Sequence, residues 1–290
     1  MTPRICFVTC RRWPEISESD GVAQRALEAR GAVVEGRPWN VAGTEFGGFD
    51  AVVLRSSWDY HHAPDAYLAW LARWEAAGVA IWNTPALIRW NLSKAYLLDL
   101  EGAGLPVVPT LILDDEAARL PVIMAERRWE VGVVKPLVSA SAHDTTLVPA
   151  AEAPAVARAI GEGRIRRPVM LQPFVEEIRT RGEWSLIFID GGLTHAVLKH
   201  PGDGDFRVQP HFGGRSARAE PAAATVEAAR RALAALPEAP LYVRIDGVEA
   251  ASGFTIMEVE AHEPGLFFDL APEAADVFAE AILRRARARS

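Results

Sequence analysis

The sequence has few cysteines, few lysines and no long hydrophobic run. Its two cysteines, Cys6 and Cys10, lie four residues apart, and a strand would separate them by ~13 Å, too far for a disulfide. No group of Cys and His partners beside them indicates zinc, so we predict reduced thiols in a cytoplasmic protein. The start of the chain lacks the apolar run of a signal peptide, and no stretch approaches the ~20 apolar residues of a membrane span.

Acidic residues outnumber basic residues by 38 to 31, and most of the basic residues are arginine. The net charge is -7 over 290 residues, and basic runs are short, so we do not expect a nucleic-acid surface. Of the 31 basic residues only three are lysine, namely Lys94, Lys135 and Lys199, and the other 28 are arginine. Lysine is a compact point charge that suits one phosphate oxygen in a tight site. The alternative is that these are surface lysines left by chance.

The first 91 residues alternate between strand and helix patterns. RICFVTC, AVVEGRPW and DAVVLRSS predict strands. A helix is predicted over GVAQRALEARG with Asp20 as its cap, and another from Pro64 to Gly78. This alternation predicts a parallel sheet with helical crossovers, in a domain that ends near residue 91.

The motif RSSWDYHH follows the last strand predicted in this domain. In open parallel sheets, ligands bind beyond the carboxyl ends of the strands. Arg55, Ser57 and Asp59 are therefore candidates for substrate contact, and Arg55 could hold a carboxylate through two hydrogen bonds. The alternative is a solvated loop in which Trp58 and Tyr60 pack onto the domain.

The next segment places two of the lysines. NLSKAYLLDLEGAG predicts a helix with Lys94 in its first turn, a poor position for a cation beside the helix dipole, so we expect an anion nearby. A strand is predicted to start near Val107. Lys135 ends an apolar strand and is followed by the loop SASAHD. Small residues let a backbone approach a ligand, and consecutive N–H groups can hold a phosphate.

The C-terminal segment predicts two hairpins. Asp190-Gly191-Gly192 joins two strands that start at Glu183 and end at Lys199. Residues 200–220 are rich in glycine and charge, which predicts a covering loop that carries Arg207 and His211. These two residues either touch substrate or lie in a plain mobile loop. A helix, a second hairpin and a last helix follow.

The second hairpin contains an unusual set of acids. Glu258 and Glu260 in FTIMEVEAHEPG lie on one strand face, where like charges repel. Arg244 and Asp246 share a face of the strand that precedes them. A solvated surface strand would tolerate the pair, and otherwise the arrangement requires positive charge nearby. Glu263 is one step further along. It either has a structural role in the following turn or contacts a metal, and the sequence does not distinguish these two roles.

Seven features occur in the order Lys94, Lys135, QPFVEE, Glu183, Lys199, VRID and MEVE. This order and spacing resembles the ATP-grasp superfamily along the whole chain. The resemblance implies an α/β (α+β) fold. It divides the chain into an N-terminal parallel α/β substrate domain at 1–91 and two α+β domains, at 92–174 and 175–290, that grip ATP.

The resemblance also implies roles for individual residues. Lys94 and Lys135 would contact the ATP phosphates, residues 172–175 the adenine and Glu183 the ribose. The ATP-binding residues that it implies are Lys94, Lys135, Ser139, Ser141, Gln172, Phe174, Val175, Glu183 and Lys199. The catalytic residues that it implies are Arg244 and Lys199, and the metal ligands are Asp246, Glu258 and Glu260.

Magnesium would resolve the repulsion in the second hairpin. Mg²⁺ binds through a few carboxylates together with substrate phosphates, and the resemblance implies one or two ions, with Mn²⁺ able to substitute. Glu260 stands where many members have asparagine, and SASAHD lacks the glycines that many relatives carry there. His143 in that loop either contacts phosphate or is merely exposed.

RSSWDY, FRVQPHFGG and EVEAHEPGLFF are most similar to the branch that contains D-cycloserine-forming and glutathione-synthetase-like ligases. The resemblance implies a ligase that activates a small-molecule carboxylate as an acyl phosphate for attack by an amine, with ring closure within O-ureido-D-serine as one form. A small-molecule kinase and a non-catalytic ATP-binding regulator are the alternatives. The expected partner is the small carboxylate substrate, with no nucleic acid and no membrane, and a homo-oligomer is left open.

Overall fold

The N-terminal sheet is parallel, as the alternation of strands and helices predicts. In the computed structural model, which describes residues 2–140 and 142–288, its order is β2-β1-β3-β4. The strands are β1 (Arg4–Thr9), β2 (Val33–Pro38), β3 (Ala51–Leu54) and β4 (Ile81–Trp82), and the helices between them are α1 (Glu18–Glu28) and α2 (Pro64–Ala76). Cys6 and Cys10 are buried, and both thiols are free, as predicted.

Helix α1 begins earlier than the sequence predicts. Its N-cap is Ser17, whose hydroxyl accepts a hydrogen bond from the backbone N–H of Asp20. The prediction that Asp20 caps the helix is therefore wrong. Asp20 lies in the first turn, where its buried carboxylate accepts a hydrogen bond from Arg55. A long-range ion pair thus takes the residue that the local pattern assigns to a cap.

The segment around Lys94 also differs from its prediction. Helix α3 (Pro85–Leu92) is not predicted, and α4 (Tyr96–Gly102) begins later than the predicted helix, so Lys94 lies between two helices and not in a first helical turn. The backbone N–H of Lys94 donates to the carbonyl of Leu137 at 2.8 Å, so a tertiary hydrogen bond replaces a helical one. The strand predicted near Val107 is only an isolated bridge to Ile256.

The central sheet is antiparallel, in the order β5-β8-β6-β7. Its strands are β5 (Leu111–Leu113), β6 (Val131–Pro136), β7 (Thr146–Pro149) and β8 (Val169–Pro173). Helices α5 (Leu120–Glu126) and α6 (Ala153–Gly161) belong to the same part of the chain, and their apolar side chains share one core cluster with the strands. Lys135 is at the end of β6, as predicted. We call residues 137–145 the β6–β7 loop.

The third sheet is antiparallel, in the order β11-β10-β9-β12-β13. Both predicted hairpins are confirmed, and Asp190 and Gly191 at the first turn have φ values of 51° and 81°. The elements are α7 (Glu177–Thr180), β9 (Glu183–Ile189), β10 (Gly192–His200), β11 (Arg215–Arg218), α8 (Ala223–Ala234), β12 (Tyr242–Ala250), β13 (Gly253–Glu260) and α9 (Pro272–Arg287). β11 lies within the covering loop predicted at residues 200–220, so the segment without strand structure is shorter than predicted. We call residues 201–214 the β10–β11 loop.

One core cluster joins the two ends of the chain. Phe278 of α9 is fully buried, and its ring lies 6.4 Å from that of Phe7 in β1 and 5.7 Å from that of Tyr242 in β12. The C-terminal helix therefore packs between the first and third sheets. Each of the three sheets lies within one of the predicted segments 1–91, 92–174 and 175–290, and the division into domains stays a prediction. Among residues 2–140 and 142–288, no helix is long and apolar enough to cross a membrane.

Candidate active site

A cavity of about 560 Å³ lies where the three sheets meet. Its walls come from the segment between α3 and α4, from β6 and β8, and from β9, β10, β12 and β13. All three lysines of the chain, Lys94, Lys135 and Lys199, line it. One side also carries apolar residues, among them Val133, Phe174 and Met257. The cavity therefore combines concentrated positive charge with an apolar wall.

Three carboxylates meet at one end of this cavity. Asp246 of β12 pairs directly with Glu258 of β13, and Arg244 pairs with Glu260 in the same ladder. Oxygen atoms of Asp246, Glu258 and Glu260 lie within 4.8 Å of one another. The hairpin thus brings together the three acids that the sequence assigns to a metal.

Protein cations surround the carboxylates. Lys94 forms an ion pair with Glu258. Nη2 of Arg244 lies 2.8 Å from both Asp246 and Glu260, and Nζ of Lys199 lies 3.7 Å from Asp246. The anion expected near Lys94 is therefore Glu258, which is 164 residues away in sequence.

The protein cations do not neutralise all three carboxylates equally. Burial would raise the pKa of Glu258, but the ammonium groups of Lys94 and Lys135 lower it below its usual value. Burial, together with repulsion from Glu258 and Asp246, raises the pKa of Glu260 to about 8 despite the guanidinium of Arg244. A divalent cation would favour the ionised form of all three oxygen donors. The donor set and its unbalanced charge therefore fit Mg²⁺.

Lys135 differs from the other two lysines. No carboxylate oxygen of the described residues lies within 4 Å of its ammonium, whereas Lys94 and Lys199 form ion pairs. Burial lowers the pKa of Lys135 to about 8, only partly opposed by Glu258. A desolvated ammonium without a bonded carboxylate can bind a phosphate without first breaking an ion pair.

Glu183 and Lys199 bind each other in this structure. Nζ of Lys199 donates to Oε1 of Glu183 at 2.5 Å, and both side chains are largely buried. Burial and the nearby Asp246 raise the pKa of Glu183, although Lys199 opposes both effects. Both residues line the cavity, so a ribose hydroxyl and a phosphate would reach them from the same side.

The strand β8 and the residues after it form the opposite wall. The buried side-chain amide of Gln172 donates to the hydroxyl of Thr110 at 2.9 Å. The ring of Phe174 lies 5.8 Å from that of Phe206 in the β10–β11 loop and 4.6 Å from the guanidinium of Arg179. Val175 continues this wall. A wall with apolar and aromatic side chains is suited to a flat aromatic base.

The β6–β7 loop contributes to the mouth of the cavity. Ser139 is buried, lines the cavity and accepts a hydrogen bond at its carbonyl from the hydroxyl of Tyr60 at 3.4 Å. Ala142 and Thr145 also line the cavity. Ser141, the other predicted phosphate contact in this loop, lies outside the described residues.

The five predicted substrate contacts fall into two groups. Arg207 and His211 of the β10–β11 loop line the cavity, whereas Arg55, Ser57 and Asp59 are not among its described lining residues. Arg55 is 1% exposed, and its guanidinium donates to Asp20 at 2.9 Å and to the carbonyl of Pro264 at 2.8 Å. Nη1 of Arg55 has no hydrogen-bond partner among the described residues, but the burial of the side chain keeps a substrate carboxylate from reaching it unless the surrounding residues move.

The other two residues of that motif are also bonded to the protein. The buried hydroxyl of Ser57 lies 3.4 Å from that of Tyr67. The carboxylate of Asp59 accepts hydrogen bonds from Trp39 at 2.7 Å and from Asn40 at 2.8 Å. It lines a second cavity of about 530 Å³, whose described lining residues all lie between Arg11 and Ala66. The substrate roles of Arg55, Ser57 and Asp59 stay predictions.

His262 lies beside the carboxylates and is not predicted from the sequence, whereas Glu263 is predicted there with its role left open. His262 and Glu263 are buried and line the cavity, and Nε2 of His262 lies 2.5 Å from the hydroxyl of Tyr67. Nδ1 of His262 has no hydrogen-bond partner among the described residues and lies 3.9 Å from Glu263. Burial lowers the pKa of His262, which favours the neutral ring. The signal in the sequence is that two polar residues, His262 and Glu263, stand two and three positions after Glu260.

Comparisons with known proteins agree with this geometry. Residues 5–83 match the family described as the N-terminal domain of D-cycloserine synthetase DcsG. The chain is 32% identical to the cycloserine biosynthesis protein DcsG of Streptomyces lavendulae over 279 residues, which cover 90% of this chain and 91% of that protein.

Solved structures give the same result. A crystal structure of D-cycloserine synthetase DcsG has a TM-score of 0.88 and 27% identity, over 98% of this chain and 99% of that one. The ATP-grasp ligase PsnB, solved with a phosphomimetic variant of its minimal precursor, Mg and ADP, has a TM-score of 0.68 and 20% identity, over 97% and 98% of the two chains, which shows a shared fold. The predicted superfamily is thus confirmed, and this chain belongs to the DcsG family of ATP-grasp ligases.

Proposed function

We propose that this protein is a Mg²⁺-ATP-dependent ligase that activates the carboxylate of a small amino acid derivative and closes a ring on it, as in cycloserine formation. The observation that carries the proposal is the convergence of all three lysines with the three carboxylates in one cavity. The similarity to DcsG over 90% of the chain supports the substrate class. O-Ureido-D-serine is the first substrate to test.

The proposed reaction has two steps. A carboxylate oxygen of the substrate attacks the γ-phosphorus of ATP, the bond to the β–γ bridging oxygen breaks, and ADP leaves. A nitrogen of the same substrate then attacks the carbonyl carbon of the acyl phosphate. It loses a proton, and inorganic phosphate leaves as the C–N bond forms. With O-ureido-D-serine the ring nitrogen then still carries its carbamoyl group, which water must remove as CO₂ and ammonia to give cycloserine. The protein contributes position and charge rather than a nucleophile.

The residues of this chain divide that work. Lys135 and Lys94 would neutralise the phosphates, and Lys94 would exchange Glu258 for a phosphate oxygen. Arg244 would stabilise the charge that develops between the carboxylate and the γ-phosphoryl group. Glu183 would bind the ribose, residues 172–175 the adenine, and Lys199 the nucleotide phosphates. Asp246, Glu258 and Glu260 would hold the Mg²⁺, which would neutralise charge on the ATP phosphates.

The far end of the cavity is suited to the amino acid. Trp58, Tyr60, His262 and Glu263 line the cavity together with the carboxylate cluster, and Arg207 and His211 of the β10–β11 loop line it as well. Glu263 can bind an ammonium group, and neutral His262 can accept a proton from the attacking nitrogen. The β10–β11 loop would exclude water that otherwise hydrolyses the acyl phosphate.

The proposal also covers the metal ions, the binding partner and the location of the protein. We propose one or two Mg²⁺ ions, with Mn²⁺ able to substitute because it also prefers oxygen donors. The small-molecule carboxylate is the expected partner, with no nucleic acid, and the cytoplasm is the expected location. The carboxylate cluster and the cavity are both formed by residues of one chain, so they do not distinguish a monomer from a homo-oligomer.

The test is product analysis with Mg²⁺-ATP and O-ureido-D-serine, with ADP and free phosphate measured separately. We expect both to rise together, with a cyclic product, and neither to rise without the substrate. ADP without free phosphate would indicate a kinase, and AMP with pyrophosphate would contradict phosphoryl transfer from the γ-position. Equal release with a panel of unrelated amino acids would contradict the substrate class while leaving the ligase chemistry in place.

A further inference from the structure

We propose that His61, His62 and His143 form a second cation site, for a divalent transition-metal ion such as Zn²⁺, separate from the carboxylate cluster. One ring nitrogen from each residue lies within 4.8 Å of the other two. The ring centroids are 4.0 Å apart for His61 and His62, 4.9 Å for His61 and His143, and 5.2 Å for His62 and His143. The proposal depends on these three rings and not on the ligase function.

The geometry requires only small movements. Bonds of about 2.0–2.1 Å around a tetrahedral ion place the ligand atoms roughly 3.4 Å apart. His62 and His143 are exposed, so their rings can turn towards a bound ion, while His61 is half-buried. Nδ1 of His61 is buried and has no hydrogen-bond partner among the described residues. A metal ion would satisfy this nitrogen.

Burial favours the form of the His61 ring that can bind a metal. Neutral imidazole is the ligand form. Burial, followed by the neighbouring rings of His62 and His143, lowers the pKa of His61 to about 4. The carboxylate of Asp144 lies 3.3 Å from Nε2 of His143. It can serve as a fourth ligand or orient the ring, and nitrogen donors with one carboxylate suit Zn²⁺ better than Mg²⁺.

The position of the rings indicates what a bound ion would do. His61 and His62 lie in a short 3₁₀ helix, Tyr60–His62, that follows β3 in the N-terminal sheet. His143 lies in the β6–β7 loop, of which Ser139, Ala142 and Thr145 line the nucleotide cavity. The hydroxyl of Tyr60 already donates to the carbonyl of Ser139 across the same junction. A bound ion would fasten the loop to the N-terminal domain at the mouth of the cavity.

The first experiment titrates Zn²⁺ into the untagged chain by calorimetry, with excess Mg²⁺ present to occupy the carboxylate cluster. We expect one Zn²⁺ per chain, and binding weaker by at least about tenfold in His61→Gln and in His143→Gln. His200→Gln, which removes an exposed imidazole of another sheet, should leave the affinity unchanged. Glu258→Gln should also retain the site. Wild-type affinity in both histidine variants, or loss of binding only in Glu258→Gln, would overturn the proposal.

A second readout does not depend on affinity alone. Co²⁺ in place of Zn²⁺ should show the intense visible absorption of a tetrahedral site with nitrogen ligands, and His143→Gln should lose it. Circular dichroism of the variants shows whether they are folded. Hydrogen exchange in the β6–β7 loop should slow when Zn²⁺ binds to the wild type and not in His143→Gln. Binding without any change in the exchange of this loop would overturn its proposed attachment.

Discussion

At the scale of single residues, the three lysines carry much of what the sequence predicts about the site. All three line one cavity, so their rarity among the basic residues is informative. The pairing of Arg55 with Asp20 could not be predicted in the same way. Arg55 fits the local pattern of a ligand-binding loop, and Asp20 fits that of a helix cap. Only the packing of α1 against the sheet brings the two residues together.

Lys135 gives a prediction about pH. A phosphate favours its charged form, so its pKa of about 8 in the free protein should rise when ATP binds. Relative to Lys135→Arg, which shares the titration of Glu260, ATP affinity of the wild type should therefore fall as pH rises through and above that value, by up to about tenfold per pH unit. Calorimetry with a non-hydrolysable analogue from about pH 7.5 to about pH 9.5 measures this. Lys135→Arg stays charged and should lose this part of the slope, and identical slopes in both proteins would contradict the assignment.

Arg55 gives a prediction about stability. Arg55→Met would leave the carboxylate of Asp20 buried and unpaired, and should reduce the free energy of unfolding by about 3–5 kcal/mol. Adding Asp20→Asn should recover part of the loss. Urea denaturation measures both. Stability within about 0.5 kcal/mol of the wild type, together with a raised KM for the amino acid, would instead support the substrate contact that the sequence predicts.

At the scale of helices and strands, turn chemistry predicts well and tertiary hydrogen bonds do not. The Asp190-Gly191-Gly192 hairpin follows from residues that adopt positive φ, which is a local property. The break between α3 and α4 follows from a hydrogen bond to Leu137 of the central domain. Such a bond between distant segments leaves no signal in the local sequence, so the helix is predicted to include Lys94 although it begins at Tyr96.

The hairpin that holds the carboxylates gives a prediction of its own. A Cβ on Gly247, next to the irregularity in the β12–β13 ladder, would lie 2.4 Å from the carbonyl oxygen of Thr255. Gly247→Ala should therefore push the strands apart and cost about 1–3 kcal/mol of stability, with a higher Mg²⁺ requirement for turnover. Gly161→Ala, where no atom lies within 4 Å, is the matched control. Equal melting temperatures in the two variants would contradict this prediction.

At the scale of the whole molecule, the order of the sheets and the site follow from the sequence only through the family resemblance. Hydrophobic periodicity predicts the elements, but it does not show that α9 returns to pack beside β1. The His61, His62 and His143 cluster is similarly invisible in the sequence. His143 reaches the other two rings only because the central sheet carries its loop to the N-terminal domain.

The return of α9 can be tested through Phe278. Its ring is fully buried between the first and third sheets, so Phe278→Ala should cost about 3–5 kcal/mol of unfolding free energy. Val277→Ala, an exposed neighbour on the same helix, should stay within about 0.5 kcal/mol of the wild type. Guanidinium denaturation measures both. Equal effects of the two substitutions would show that α9 does not hold the ends of the chain together.

The central claim is that Asp246, Glu258 and Glu260 hold the metal that makes ATP a phosphoryl donor in this cavity. The most direct measurement is Mg²⁺-dependent release of ADP and phosphate, with O-ureido-D-serine, by the wild type, Glu258→Gln and the exposed control Glu227→Gln. We predict coupled release by the wild type and the control, and a loss of at least about 100-fold in a folded Glu258→Gln. Undiminished turnover in Glu258→Gln would contradict the account.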